Sequence, residues 1–430
     1  MRTDPALIDR VLALIDQDEL VRLACDIVSI PSLTGNEKGV STHIHQWLER
    51  QGLEAIHQEI ETDRYNVIGM LPGTGGGMAL MYNGHMDTSL SGGAEDAIFG
   101  AGAKAEFQAK AVIDGGLIRG SGIVNDKGPL ACALIALKAV KDAGVRLPGD
   151  VMVAGVAGEI GRAPVDEYQG AAYRGKGVGT RYLLTHGIVS DWAIVVEPSQ
   201  LRITWAQPGA VFAKVTTWGV PKYAPHVQHG GPPEKSENAV VKMGVVMDAL
   251  ERWAAEYEVR HRYEFKGGVM VPKANIGAIA GGAPFKPNFS PGVCKLYLEA
   301  FIAPPQKPID VKREIEAVVK STGVDAKVEL YLSVRGYESQ GAEELVATAE
   351  GVWERVTGRK PQPIRPGFTS TYADLTIYAE MGIPVIKWGP SPDDPSILPG
   401  TGEVQKIEDM VTAAKLYALS TLEICSRPAP

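Results

Sequence analysis

Up to about residue 208, apolar residues come in short unbroken runs separated by stretches at helical spacing. The runs "YNVIGML" (65–71), "MALMYNG" (78–84), "DVMVAGVAG" (150–158) and "DWAIVVEPS" (191–199) have the length and texture of buried strands. Between them "GPLACALIALKAVKDAG" (128–144) and "GTRYLLTHG" (179–187) read as helices. The first 32 residues read as an amphipathic helix interrupted by acids. Strand–helix alternation of this kind predicts an α/β sheet covered on both faces, with sites at strand C-termini.

The texture then changes. "GAVFAKVTTWG" (209–219) alternates with period two, as a half-exposed antiparallel strand does. A Pro/Gly-rich bend leads to the helix "NAVVKMGVVMDALERWAAEYE", then "ANIGAIAGG", "GVCKLYLEAFI", the helix "DVKREIEAVVKST" and "AKVELYLSV". That β-α-β-β-α-β order is the ferredoxin-like signature. The first pattern returns with "GAEELVATAEGVWERVTG", "IPVIKWG" and a closing helix from about Lys406. The expected architecture is an α/β domain with a mixed, mainly parallel sheet, spanning 1–207 and 336–430. An inserted ferredoxin-like α+β domain occupies 208–335.

Composition narrows the class. The chain has 430 residues, 45% hydrophobic and 22% charged, and a net charge of −8, which argues against a nucleic-acid partner. Neither a leader nor a membrane-spanning run is legible. Cys25, Cys132, Cys294 and Cys425 are scattered without a CxxC pair, as in a protein of a reducing compartment, so a cytoplasmic location is expected.

Candidate chemistry collects where the predicted strands end. His85 and Asp87 follow "MALMYNG", and residues i and i+2 of a strand share a face. Asp126 stands in the Gly-rich turn "RGSGIVNDKG" before the long helix, Glu159 ends "DVMVAGVAGE", and Glu197 ends "DWAIVVE". A lone carboxylate at a strand end is usually a cap or an ion-pair partner, but four such ends are harder to explain structurally. One imidazole with carboxylates is a donor set for zinc, manganese or cobalt with a position left open. A carboxylate outside the donor set can take a proton from water.

Taken in order, "IVSIPSLTGNE", "GHMDT", "RGSGIVNDKG", the strand end at Glu159, "VVEPS", "ENAVV" and "YADLTIYAEMGIPVIKWGP" resemble the motifs of the M20 metallopeptidase family. That family includes aminoacylases, acetylornithine and succinyl-diaminopimelate deacylases and glutamate carboxypeptidases. The resemblance spans nearly the whole chain and implies the two-domain fold above and a homodimer formed through the inserted domain. It implies His85, Asp126 and Glu197 as metal ligands, Asp87 as the group orienting His85, Glu159 as general base, and a cis peptide following Asp126. It also implies a lid histidine reaching the partner subunit's site, here His226 or His229, and a substrate contact from Asn275.

The departures are informative. The family carries two adjacent glutamates where this chain has "AGEIG", so Glu159 stands between Gly158 and Ile160. Counting along the strand makes Glu159 the base, whereas matching "EIG" to the trailing glutamate would make it a ligand. The family's last ligand is a histidine, and the equivalent here is Pro399, with no histidine after His261. Losing both ligands of one ion together is coherent, so one Mn2+ or Zn2+ per chain is expected. Phe301 replaces an arginine of the late lid strand, leaving Arg335 or Arg365 to grip a substrate carboxylate.

With a single Lewis acid, an already activated substrate is favoured. The expected function is a metal-dependent hydrolase of C–N bonds, foremost an aminohydrolase (deaminase) replacing the amine of an activated aromatic acid such as 5-nitroanthranilate. The alternatives are an M20 amidohydrolase acting on N-acyl amino acids or dipeptides, and an inactive binding protein on the same scaffold.

Overall fold

The computed structural model describes residues 4–99, 104–392 and 402–430. The chain divides into two compact units, one of Met1–Trp205, Ser339–Ile364 and Ala373–Pro430, the other of Ala206–Glu338 and Arg365–Tyr372.

The first unit is built on a six-stranded sheet in the order Glu54–Glu61, Arg64–Leu71, Val151–Val156, Leu80–His85, Trp192–Val195, Val385–Lys387. The first two strands are antiparallel to their neighbours, and the last four are mutually parallel. Those four strands therefore end at one edge of the sheet. Leu80 and Tyr82 pack into the core on one face, with the Lys127–Asp142 and Ile407–Cys425 helices. Met81 packs into the core on the other, with residues of the Val178–Thr185 and Leu375–Glu380 helices. Burial on both faces is why these strands read as continuous apolar runs instead of alternating ones. Tyr82 is accommodated because its hydroxyl donates to Tyr417 O at 2.6 Å.

The amphipathic N-terminal stretch forms two helices, Pro5–Ala13 and Gln17–Val28. The second starts where Asp16 accepts the Glu19 amide at 2.8 Å, an ordinary N-cap. Among the described residues no helix is long and apolar enough to cross a membrane, and all four cysteines are free.

The second unit carries a four-stranded sheet in the order Ala274–Gly281, Val293–Ile302, Gly209–Trp218, Ala326–Val334, antiparallel throughout. The Ala239–Arg260 and Pro308–Ser321 helices contribute to its core. Cys294, Leu296, Leu298, Ala300 and Ile302 point inward at every second position, which is the alternation legible in the sequence. The expected insertion 208–335 falls inside this unit. The unit also takes Arg365–Tyr372, because Val271 N donates to Ser370 Oγ and the Thr369 hydroxyl to Val269 O.

Glu37, just before the Lys38–Arg50 helix, and Arg64, at the start of its strand, form an ion pair with both side chains fully buried. Arg64 Nε and Nη2 reach the Glu37 carboxylate at 3.0 and 2.8 Å. Glu37→Ala would leave the guanidinium buried without its carboxylate. We expect a loss of about 3–5 kcal/mol, read as a lower urea midpoint of the first unit; an unchanged midpoint would contradict this role.

Candidate metal centre

The parallel register explains why distant residues meet. His85 ends its strand opposite Val156, three residues before Glu159. Asn83 pairs with Val195, so Glu197 lies two residues beyond that pair, as His85 does. Asp126 is at the N-cap of the Lys127–Asp142 helix. His85, Asp87, Asp126, Glu159 and Glu197 are all at most 5% exposed. His85, Glu159 and Glu197 each offer a donor atom, and the three atoms lie within 4.8 Å of one another.

Asp87 organises this cluster. The His85 Nδ1 atom lies 2.9 Å from the Asp87 carbonyl oxygen and 3.4 Å from its carboxylate, leaving Nε2 turned toward Glu159 Oε2 at 3.7 Å and Asn125 Oδ1 at 3.2 Å. The Asp87 carboxylate accepts the Thr34 hydroxyl at 2.7 Å and the amides of Glu159 and Ile160 at 3.0 and 3.1 Å. One aspartate thus turns the histidine by its main chain and anchors the Glu159 turn by its side chain.

Gly158 makes that turn possible. Its φ is +69°, and a Cβ there would sit 2.2 Å from Arg64 Nη2. An acidic neighbour before Glu159 is therefore sterically barred.

Asp126 accepts the His85 amide through Oδ2 at 3.2 Å, while its Oδ1 is buried without a hydrogen-bond partner. The peptide Asn125–Asp126 is cis. This corrects the expectation drawn from the resemblance, because the cis bond precedes Asp126 instead of following it. The Glu403 carboxylate holds this turn by accepting the Val124 and Asn125 amides, both at 2.8 Å.

Crowded acids raise one another's proton affinity. Burial pushes Glu197 and Asp126 well above the carboxylate range, with Glu159 adding repulsion to each. Glu159 is raised by burial too, against the opposing pull of His85 and Lys176. Burial disfavours a charged His85, but the Asp87 contact and the charges of Glu159, Asp87 and Asp126 outweigh it and raise its pKa well above the usual value. Asp374, which accepts the Thr180 hydroxyl at 2.5 Å, is pushed up to about 7 by burial and then by Glu159. Such a pocket calls for positive charge. A divalent ion fits it, since Asp126 Oδ1 lacks a partner and the N/O donors converge.

The clustered group differs from the expected ligand set in one member: it joins Glu159, rather than Asp126, to His85 and Glu197. Glu159 is carried there by the turn that Asp87 anchors. His226, His229, Asn275, Arg335 and Arg365 all belong to the second unit and are exposed. His226 meets Tyr223 edge-on, His229 lines a cavity of about 410 Å³ with Phe289, and Arg335 lies over Tyr337. Pro399 lies outside the described residues.

Lys387, 1% exposed at the end of Val385–Lys387, was missed in the sequence, as were Asp374 and Glu403. For Lys387 a signal existed, since "IPVIKWG" breaks an apolar run with one charge at the strand's end.

Residues 81–423 match the model of peptidase family M20/M25/M40. The N-formyl-4-amino-5-aminomethyl-2-methylpyrimidine deformylase of Halalkalibacterium halodurans is 24% identical over 418 residues, 90% of each chain. The succinyl-diaminopimelate desuccinylase of Xylella fastidiosa is 25% identical over 419 residues, covering 94% of this chain and 96% of that one. Human carnosine dipeptidase 1 shares the fold, with a TM-score of 0.71 at 15% identity over 98% of this chain and 99% of its own.

Metal should stabilise the protein through His85. Mn2+ or Zn2+ at about a hundred times its Kd should add about 2.7 kcal/mol, read as a rise in Tm. His85→Ala should abolish that rise; an equal rise in both proteins would place the ion elsewhere.

Proposed function

The chain belongs to peptidase family M20/M25/M40 and is a hydrolase of C–N amide bonds, and from that premise we propose that it is a metal-dependent N-deacylase removing a small acyl group, such as formyl or succinyl, from an amine. The observation that carries this reading is the turn bearing Glu159, which Asp87 anchors beside His85 and Glu197.

In this reading His85 and Glu197 hold one divalent ion, joined by Asp126 through its unpartnered Oδ1, while Glu159, the third member of the cluster, is kept as the general base. The ion supplies Lewis acidity toward a carbonyl and acidifies water. Glu159, whose proton affinity burial raises above the usual carboxylate value, takes a proton from the water as its oxygen bonds to the carbonyl carbon. The C–N bond then breaks as Glu159 returns that proton to the departing nitrogen, giving a carboxylic acid and a free amine. Asp87 keeps His85 Nδ1 engaged so that Nε2 faces the centre.

An acyl substrate is favoured over an activated aromatic amine because two relatives that match along most of their length are, by name, a deformylase and a desuccinylase. A homodimer through the second unit belongs to the same reading. Its edge strand Ala274–Gly281 is largely exposed, and Val240, Val241 and Ile279 offer apolar area there.

Glu159→Gln should lower kcat on an N-formyl or N-succinyl amine by about 10²–10⁴-fold, with substrate binding retained. The wild-type protein should turn over such amides and leave 5-nitroanthranilate unchanged. Turnover of the nitroaromatic alone would reverse the substrate class, and an unaffected Glu159→Gln would remove Glu159 from the chemistry.

A further inference from the structure

Lys387 is the last residue of the strand at the sheet's parallel edge, and its side chain is 1% exposed. Its backbone is pinned on both sides by Thr204: Lys387 N donates to Thr204 O at 2.7 Å, and Thr204 N to Lys387 O at 3.2 Å. In register it lies opposite Val195, two residues before Glu197. Burial lowers its pKa, and the negative charges of Glu197, Glu159 and Asp126, in that order, work against that fall. These are three of the acids around His85.

A buried lysine persists only where opposite charge accepts it. Of the other buried acids nearby, three have partners of their own, and Asp374, which accepts the Thr180 hydroxyl, keeps one oxygen unpartnered. Asp87 has Thr34, two amides and the His85 ring. Glu37 has Arg64, and Glu403 has the Val124 and Asn125 amides. Asp126, Glu159 and Glu197 are left to the centre, with Lys176 also acting on Glu159. The Lys387 ammonium adds a positive charge among acids that a divalent ion would also neutralise. A second divalent ion would bring excess positive charge into a site from which water is largely excluded.

We propose that Lys387 is a positioning residue built in as the second cation of the centre: its ammonium holds the Glu197 side of the carboxylate cluster and restricts the site to a single divalent ion. The inference rests on the metal-dependent reading above and deepens it, because it adds like-charge repulsion from a side chain to the missing ligands as a bar to a second ion.

The test is native mass spectrometry together with calorimetric titration of Mn2+ into the wild type, Lys387→Met and Lys387→Arg. The wild type should saturate at one ion per chain in large excess. Lys387→Met should take up a second ion, or bind the first at least about tenfold more tightly, as removal of a like charge beside a divalent ion requires. Lys387→Arg, which keeps the charge, should behave as the wild type. An unchanged or weaker affinity at one ion in Lys387→Met would overturn the proposal and leave the metal reading standing. If Lys387→Met does not fold, the wild type decides, since a second tight ion bound beside an intact Lys387 overturns the proposal. No ion at all in the wild type overturns the metal reading, and the inference with it.

Discussion

Carboxylates buried side by side repel one another unless positive charge lies among them. Asp87, Asp126, Glu159 and Glu197 close around His85 at one edge of a sheet, all nearly inaccessible to solvent. Much else in the first unit follows from that constraint. Amides of the Glu159 turn and the hydroxyl of Thr34 are directed at Asp87, and Lys387 is buried one strand away, opposite Val195. The demand for cation charge is concentrated where imidazole and carboxylate donors converge.

The fold meets this demand by making four strands parallel. Their common polarity brings His85, Glu159, Glu197 and Lys387 to one edge from positions some three hundred residues apart in the chain. The N-terminal segment "IPSLTGNE" works as a brace beneath that edge. Ser32 donates to Met86 O at 2.7 Å, Thr34 to Asp87, and Glu37 pairs with Arg64. Arg64 in turn lies against Gly158, so the brace, the antiparallel strand and the turn carrying Glu159 are in contact. A change in Glu37 or Arg64 therefore bears on Glu159 through packing.

The two-unit architecture and the acids at strand ends were legible because they follow local rules. Period two, helical spacing and the i, i+2 relation of His85 and Asp87 are properties of short segments. Glu159 and Glu197 could be placed because their strands are continuous apolar runs that stop at a charge. What escaped depends on partners remote in sequence. Glu403 is one acid among many until its carboxylate is seen to cap the Val124 and Asn125 amides, 279 and 278 residues away. Lys387 is a lone charge until strand register sets it beside Glu197. The choice between the two registers at "AGEIG" is likewise informed by a remote partner, since the positive φ of Gly158 and the guanidinium of Arg64 leave no room for a side chain before Glu159. The substrate class shifted for a related reason: absent second-ion ligands speak to the number of cations and leave the acyl or amine nature of the substrate open.

The central claim is that this edge of the sheet holds one divalent ion against His85, with Lys387 standing where further positive charge is needed. Anomalous diffraction at the manganese edge, from crystals of the wild-type protein grown with Mn2+ in excess, addresses it directly. The account predicts one strong peak per chain, within about 2.0–2.3 Å of His85 Nε2 and bounded by Asp126 and Glu197. Two peaks among these residues, or none, would contradict it.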